Sequence, residues 1–108
     1  MNAARLRRSP RIDQRISVRV LAEDRDGQLV DARGEADQVS VHGVRMTIAA
    51  DLPTGSVVEV QDPESQRGAH YRVVWAIETG SAGQFQMGLE LVSGDPSFWG
   101  IEFPPPDK

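Results

Sequence analysis

Two stretches decide the fold: Tyr71-Arg72-Val73-Val74-Trp75-Ala76-Ile77 and Phe85-Gln86-Met87-Gly88-Leu89-Glu90-Leu91, joined through Gly80-Ser81-Ala82-Gly83. In the first, Tyr71, Val73, Trp75 and Ile77 alternate with Arg72, Val74 and Ala76. In the second, Phe85, Met87, Leu89 and Leu91 alternate with Gln86, Gly88 and Glu90. Successive side chains on a strand point to opposite faces, so this period of two predicts a hairpin with one buried face.

Working outward, the same signal recurs. Ile16, Val18, Val20 and Ala22 alternate with Ser17, Arg19 and Leu21, predicting a strand. Glu23-Asp24-Arg25-Asp26-Gly27 follows, and Asp-Gly is a strong turn signal. The three acids lack the remaining ligand positions of a calcium loop. A second extended stretch runs from Leu29 to Val41, Gly43 punctuates it, and Val44, Met46 and Ile48 alternate again. Leu52-Pro53-Thr54-Gly55 predicts a turn before the short strand Ser56–Val60, and Pro63 to Gly68 reads as a polar loop. No window longer than about ten residues shows a helical period. Short strands at this spacing imply an antiparallel barrel or sandwich, and closure into a barrel removes exposed edges. The ending Pro96-Ser97-Phe98-Trp99-Gly100-Ile101-Glu102-Phe103-Pro104-Pro105-Pro106 reads as a lid that plugs one barrel end by burying Trp99 and Phe103, in preference to a partner-binding motif.

At 108 residues the chain is one domain's worth of material. With no cysteine, disulfides, zinc–thiolate sites and cysteine nucleophiles are excluded, and a packed core in a reducing compartment is expected. Two histidines, His42 and His70, leave little for a metal site, and none is expected. No apolar run approaches the ~18 residues of a membrane span. Arginines stand where a secretory leader would place its apolar core, so the expected location is cytoplasmic, with no membrane partner.

Charge is unevenly placed. The formal net charge is −4, which argues against broad nucleic-acid binding. Yet residues 1–20 hold Arg5, Arg7, Arg8, Arg11, Arg15 and Arg19 against Asp13 alone, and the only lysine is Lys108. Arginine carries a planar five-donor fork suited to phosphates and guanine edges, so the cluster suggests a focused anion site; a GC-rich genome and a frayed tail are the bland alternative. Sites for single-stranded RNA interleave stacking aromatics with bases. Six aromatics, most at apparent core or lid positions, make a nucleic-acid polymer an unexpected partner.

Catalysis finds almost no foothold. Ser40 and His42 share a face if extended, but nothing identifies an orienting acid or an oxyanion hole. Neither G-x-G-x-x-G nor a P-loop lysine motif occurs. No catalytic residue and no cofactor are expected, and the chain reads as a binding module rather than an enzyme.

Two segments carry a signature: Arg7-Arg8-Ser9-Pro10-Arg11 before the first strand, and Gln38-Val39-Ser40-Val41-His42-Gly43 closing the second extended stretch. Together they resemble the PilZ domain family, bacterial receptors for the second messenger cyclic di-GMP, whose pattern is R-x-x-x-R followed about thirty residues later by [D/N]-x-S-x-x-G. Arg7 and Arg11 fill the first motif, with Arg8 as an extra arginine, and Ser40 and Gly43 fill two positions of the second. Val73-Val74-Trp75 and Gly88-Leu89-Glu90-Leu91 look like the family's last barrel hairpin, and the aromatic-proline ending resembles one subgroup.

The resemblance implies an all-β fold: a six-stranded antiparallel barrel over 16–94, a flexible arginine arm over 1–15 and a lid and tail over 95–108. It also implies a nucleotide-binding signalling module with ligand-binding residues Arg7, Arg8, Arg11, Gln38, Ser40 and Gly43. Its partners would be cyclic di-GMP and an unidentified protein effector, and the module a monomer or weak dimer. Guanine N7 and O6 suit an arginine fork, which also stacks on bases and holds phosphates. Ser40 adds a hydroxyl contact, and Gly43 permits close backbone approach or a positive φ, although an ordinary bulge explains it equally well. Ordering about ten arm residues at on the order of 1 kcal/mol each limits affinity, so a micromolar constant, about −8 kcal/mol, is expected.

One position departs from the pattern. Gln38 stands in the slot of Asp or Asn, with Asp37 one residue early. A one-residue shift turns a side chain to the opposite face, so Asp37 replaces the missing acid only if a bulge intervenes. A ligand-blind adaptor working through protein contacts is the alternative reading.

Overall fold

The computed structural model describes residues 15–99. Six strands form a closed barrel: β1 (Ile16–Glu23), β2 (Leu29–Val39), β3 (Gly43–Ile48), β4 (Val57–Gln61), β5 (Gly68–Glu78) and β6 (Phe85–Ser93). All pairings are antiparallel and the order around the barrel is β1-β2-β3-β6-β5-β4. A 3-10 turn, Pro96–Trp99, follows β6 and buries Phe98 and Trp99, which is the described part of the expected lid; Phe103 lies outside the described residues. No helix among the described residues is long and apolar enough to cross a membrane.

The period of two places the core. Val18 and Val20 of β1, Met46 and Ile48 of β3, Val58 and Val60 of β4, Tyr71 and Val73 of β5, and Met87 and Leu89 of β6 all point inward and are buried. The acid-rich turn between β1 and β2 is held by Asp24, whose carboxylate accepts from the N–H groups of Asp26 and Gln28, and Gly27 takes a φ of 78° there. One oxygen, Oδ1, takes both bonds and ties the side chain to the local backbone, as turn aspartates commonly do.

The alternation fails at three places, and each is a bulge. In β2 the register shifts between Ala36, opposite Met46, and Gln38, opposite Arg45, leaving Asp37 as an inserted residue. In β5 it shifts between Val73, opposite Leu89, and Trp75, opposite Gly88, leaving Val74 over. A third shift makes Val92 the extra residue of β6. An inserted residue reverses the phase of everything beyond it. The expectation that Trp75 and Ile77 share the inward face of Tyr71 and Val73 is therefore corrected. Val73 is buried, whereas Val74, Trp75 and Ile77 are all exposed on the outside.

Strand direction places the start of β1, the Gln38–Gly43 motif and the end of β6 at one end of the barrel. There the chain enters β1 at Ile16, β2 turns into β3 through residues 40–42, and β6 leads into the turn that carries Trp99. Ile16 lies opposite Ala36, so the segment before β1 joins the barrel one step from the Asp37 bulge.

Candidate functional site

Arg7, Arg8 and Arg11 lie outside the described residues. Arg15 and Arg19, the described members of the N-terminal cluster, are each engaged by a barrel acid. Arg15 Nη1 donates to Glu35 at 3.0 Å. Arg19 grips Asp31 with two bonds, Nε to Oδ1 at 2.8 Å and Nη2 to Oδ2 at 2.7 Å. The hydrogen bond and charge of that pair raise the Arg19 pKa and hold the Asp31 carboxyl below its ordinary value.

Ser40 and Gly43 bracket the β2–β3 turn. The Ser40 N–H donates to the Gly43 carbonyl at 2.9 Å. Its Oγ accepts from the N–H groups of His42 at 3.3 Å and Gly43 at 3.2 Å. A hydroxyl has two lone pairs and one hydrogen. With both lone pairs turned to the backbone, Ser40 is left to act as a donor, toward an acceptor such as a phosphate or a guanine edge. Ser40 meets His42 through the latter's backbone, which is no arrangement for nucleophile activation. The turn is also tied to β6, because the Leu91 N–H donates to the His42 carbonyl at 2.7 Å.

Gly43 is explained by close approach. Its φ is not among the positive ones, and its pairing with Glu90 is regular. A Cβ at this position would stand 2.5 Å from the Leu89 carbonyl oxygen. The backbone of β6 itself occupies the space a side chain would need.

Gln38 faces outward opposite Arg45. The bulge turns it onto the face of Asp37, whose carboxylate binds the Arg45 fork: Nε to Oδ1 at 3.0 Å and Nη2 to Oδ2 at 3.2 Å. The two side chains keep 32% and 40% of their exposure, so this pair is reachable from solvent. The intervening bulge on which the sequence reading was conditional is thus present, and Asp37 and Gln38 are neighbours on one surface.

Cross-strand partners continue this surface as a lateral row. Arg45 lies opposite Gly88 on β6, and Gly88 opposite Trp75 on β5. The Trp75 indole rests over Gly88, in the space a Cβ there would fill. Adjacent strands lie about 4.8 Å apart, so the backbones that carry Arg45 and Trp75 are about 10 Å apart, with the indole leaning over the glycine between them. Next to this row, Arg72 Nη1 donates to Glu90 at 3.1 Å. Sequence reasoning did not single out Arg45 or Trp75. Arg45 was legible as the outward residue between buried Val44 and Met46. Trp75 was not, because its face depends on a bulge.

Among the described residues no three His, Cys, Asp or Glu side chains are grouped to hold a metal ion. The surface instead offers cations, a hydroxyl donor and an aromatic face, the groups that bind an anionic, base-bearing ligand. A family model described as PilZ domain matches residues 5–98. No curated protein matches the chain.

Proposed function

The chain belongs to the PilZ domain family, and from that premise we propose that it is a receptor module for cyclic di-GMP. In this reading Arg7, Arg8 and Arg11 supply guanidinium forks for the phosphates and the N7/O6 edges of guanine. Ser40 donates its hydroxyl, and Gly43 keeps the turn close against β6. Gln38 lies on the rim, and Arg45 and Trp75 extend the site across the barrel wall. Ligand capture then alters the surface shown to a protein effector. The family is one of binding and adaptor domains rather than of catalysts.

The observation that carries the reading is the register of β1 on β2. Ile16, where the chain enters β1, lies opposite Ala36, next to the bulge and the turn that hold the second motif, which supports a reading in which the arginines preceding β1 act together with that motif.

Calorimetric titration with cyclic di-GMP tests this, with GMP and cyclic di-AMP as controls. Selective binding near a micromolar constant, about −8 kcal/mol, is expected. Arg11→Ala removes a fork and strands ligand acceptors, costing about 2 kcal/mol or more; undiminished affinity in that variant rejects the clamp.

Gln38 favours one second reading, a ligand-blind adaptor that works through protein contacts. No heat of binding at ~100 µM ligand, where even a constant weaker than micromolar registers, supports it, provided the protein is folded. Gln38→Asp or Gln38→Asn then restores binding, and a pull-down identifies the effector.

A further inference from the structure

We infer that the outer wall of β5 is a contact surface between two copies of this chain, which meet antiparallel across a two-fold axis at Val74 and form a weak dimer. Residues 73–77, Val73-Val74-Trp75-Ala76-Ile77, are apolar at every position. Strands covered on both faces read as such unbroken apolar runs. Here the barrel core covers the inner face alone. The register shift between Val73 and Trp75 decides what the outer face shows. Val74 points outward with or without it. On a regular strand Trp75 and Ile77 would point inward, and Ala76 and Glu78 outward. The insertion exchanges an alanine and an acid on the wall for two large apolar side chains.

The result is a continuous apolar band. Val74 is 52% exposed, Ile77 57% and Trp75 39%, and Val57 joins them from β4, 48% exposed and paired opposite Arg72. Together they present on the order of a few hundred Å², the size at which a patch on a monomer is often a contact site. Leu29 is more exposed still, but it stands apart beside the β1–β2 turn.

Charge and area choose the occupant. Arg72, which borders the band at one end, is already paired with Glu90 at 3.1 Å. At the other end Ile77 lies opposite Gln86, which is uncharged. The band therefore does not select a partner of opposite charge. Two copies laid antiparallel set the Arg72–Glu90 pair of each over the Ile77–Gln86 end of the other, so no like charges face. A parallel arrangement would set Arg72 against Arg72. A two-fold uses the same patch on both copies and closes the assembly at two. A stable interface buries about 800 Å² on each partner, and the apolar band supplies about half of that. Association should accordingly be weak.

Sedimentation equilibrium of the full chain, without ligand, tests this independently of the receptor reading. Between about 10 µM and about 1 mM the apparent mass should climb from one chain toward two and stop there, as a small interface predicts. Val74→Asp and Ile77→Asp, each checked for its β-sheet spectrum, should remain monomeric throughout. Leu29→Asp should associate as the parent does. An equimolar mixture of Val74→Asp and Val74→Arg should regain the dimer, because the two-fold brings position 74 of one copy against position 74 of the other. A parent that stays monomeric at about 1 mM leaves the band to a different partner and overturns the inference. Dimers that persist in both Asp variants, or that vanish in Leu29→Asp, lie on another surface and overturn it too. A mixture that stays monomeric does the same, as does growth beyond two copies, which is open-ended aggregation rather than a closed pair.

Discussion

The indole Nε1 of Trp99 donates to the phenol oxygen of Tyr71 at 3.1 Å, inside the end of the barrel. Tyr71 is fully buried in β5 and Trp99 nearly so, with the Phe98 ring against Trp99 at a centroid distance of 4.5 Å. The 3-10 turn therefore closes the barrel with a polar pair whose groups satisfy one another, as buried polar atoms must. The lid is fastened as well as packed.

That contact has a pH signature. Burial pushes the Tyr71 pKa up to about 12, against the Trp99 hydrogen bond, which favours the anion. A folded value above the unfolded one, 10.0, means that the native state holds its proton more tightly. Stability from this group is complete below pH ~10 and lost as pH rises through about 12. Tyr71 is the single tyrosine, so phenolate absorbance reports it directly. Ionisation should coincide with alkaline unfolding, and Tyr71→Phe should unfold at higher pH than the parent. Phenolate forming near 10 in a folded protein would contradict this.

Ser40→Ala should destabilise the protein whatever it does to ligand binding. The change removes the oxygen that accepts from the His42 and Gly43 amides, in a residue only 8% exposed. Leaving such donors without their partner costs about 1–3 kcal/mol. Chemical denaturation should show a lower midpoint with an unchanged slope. A midpoint equal to that of the parent would mean that water or backbone movement replaces the hydroxyl.

Gly43→Ala should be worse than its size suggests. The added methyl would stand 2.5 Å from the Leu89 carbonyl oxygen; a Cβ is fixed to its own backbone and the oxygen is backbone, so β3 and β6 must part. Overpacking of this kind costs about 1–3 kcal/mol, and a midpoint lowered by about 4 °C or more is expected. Thermal unfolding followed by the β-sheet spectrum checks this, and a midpoint equal to the parent's would mean that β3 and β6 part without cost.

The strands themselves were legible because alternating apolar residues leave few ways to form a one-sided sheet. Val18, or Met87 and Leu89, have polar or glycine neighbours that cannot replace them inside. Val73-Val74-Trp75 carries no such contrast. All three residues suit either face, so an insertion at Val74 costs nothing that the pattern registers, and the outward turn of Trp75 was hidden. The Asp37 bulge left a faint trace, an acid and an amide side by side between buried Ala36 and Val39. Ser40 and Gly43 were readable as a motif, but their reasons were not. The close approach of β6 depends on a strand distant in sequence, and the pairing of Oγ with two amides on how the local turn closes.

The Trp75–Gly88 contact gives the last prediction, because it separates a packing role from a recognition role. The indole lies on the outer wall, 39% exposed, over a residue with no side chain. Gly88→Ala would put a methyl where the ring now rests, and a ring held at the surface can swing away. The barrel should survive with a loss of about 1 kcal/mol, while Trp75 emission, isolated in a Trp99→Phe background, shifts to the red. If the ring serves as a stacking platform for a guanine, cyclic di-GMP should quench that emission in the parent. Gly88→Ala should then weaken binding by about tenfold, the lower end of the 1–3 kcal/mol of base–aromatic stacking. Trp75→Ala should weaken it at least as much. A red-shifted, folded Gly88→Ala protein that binds as tightly as the parent would confine Trp75 to covering the β5–β6 ladder.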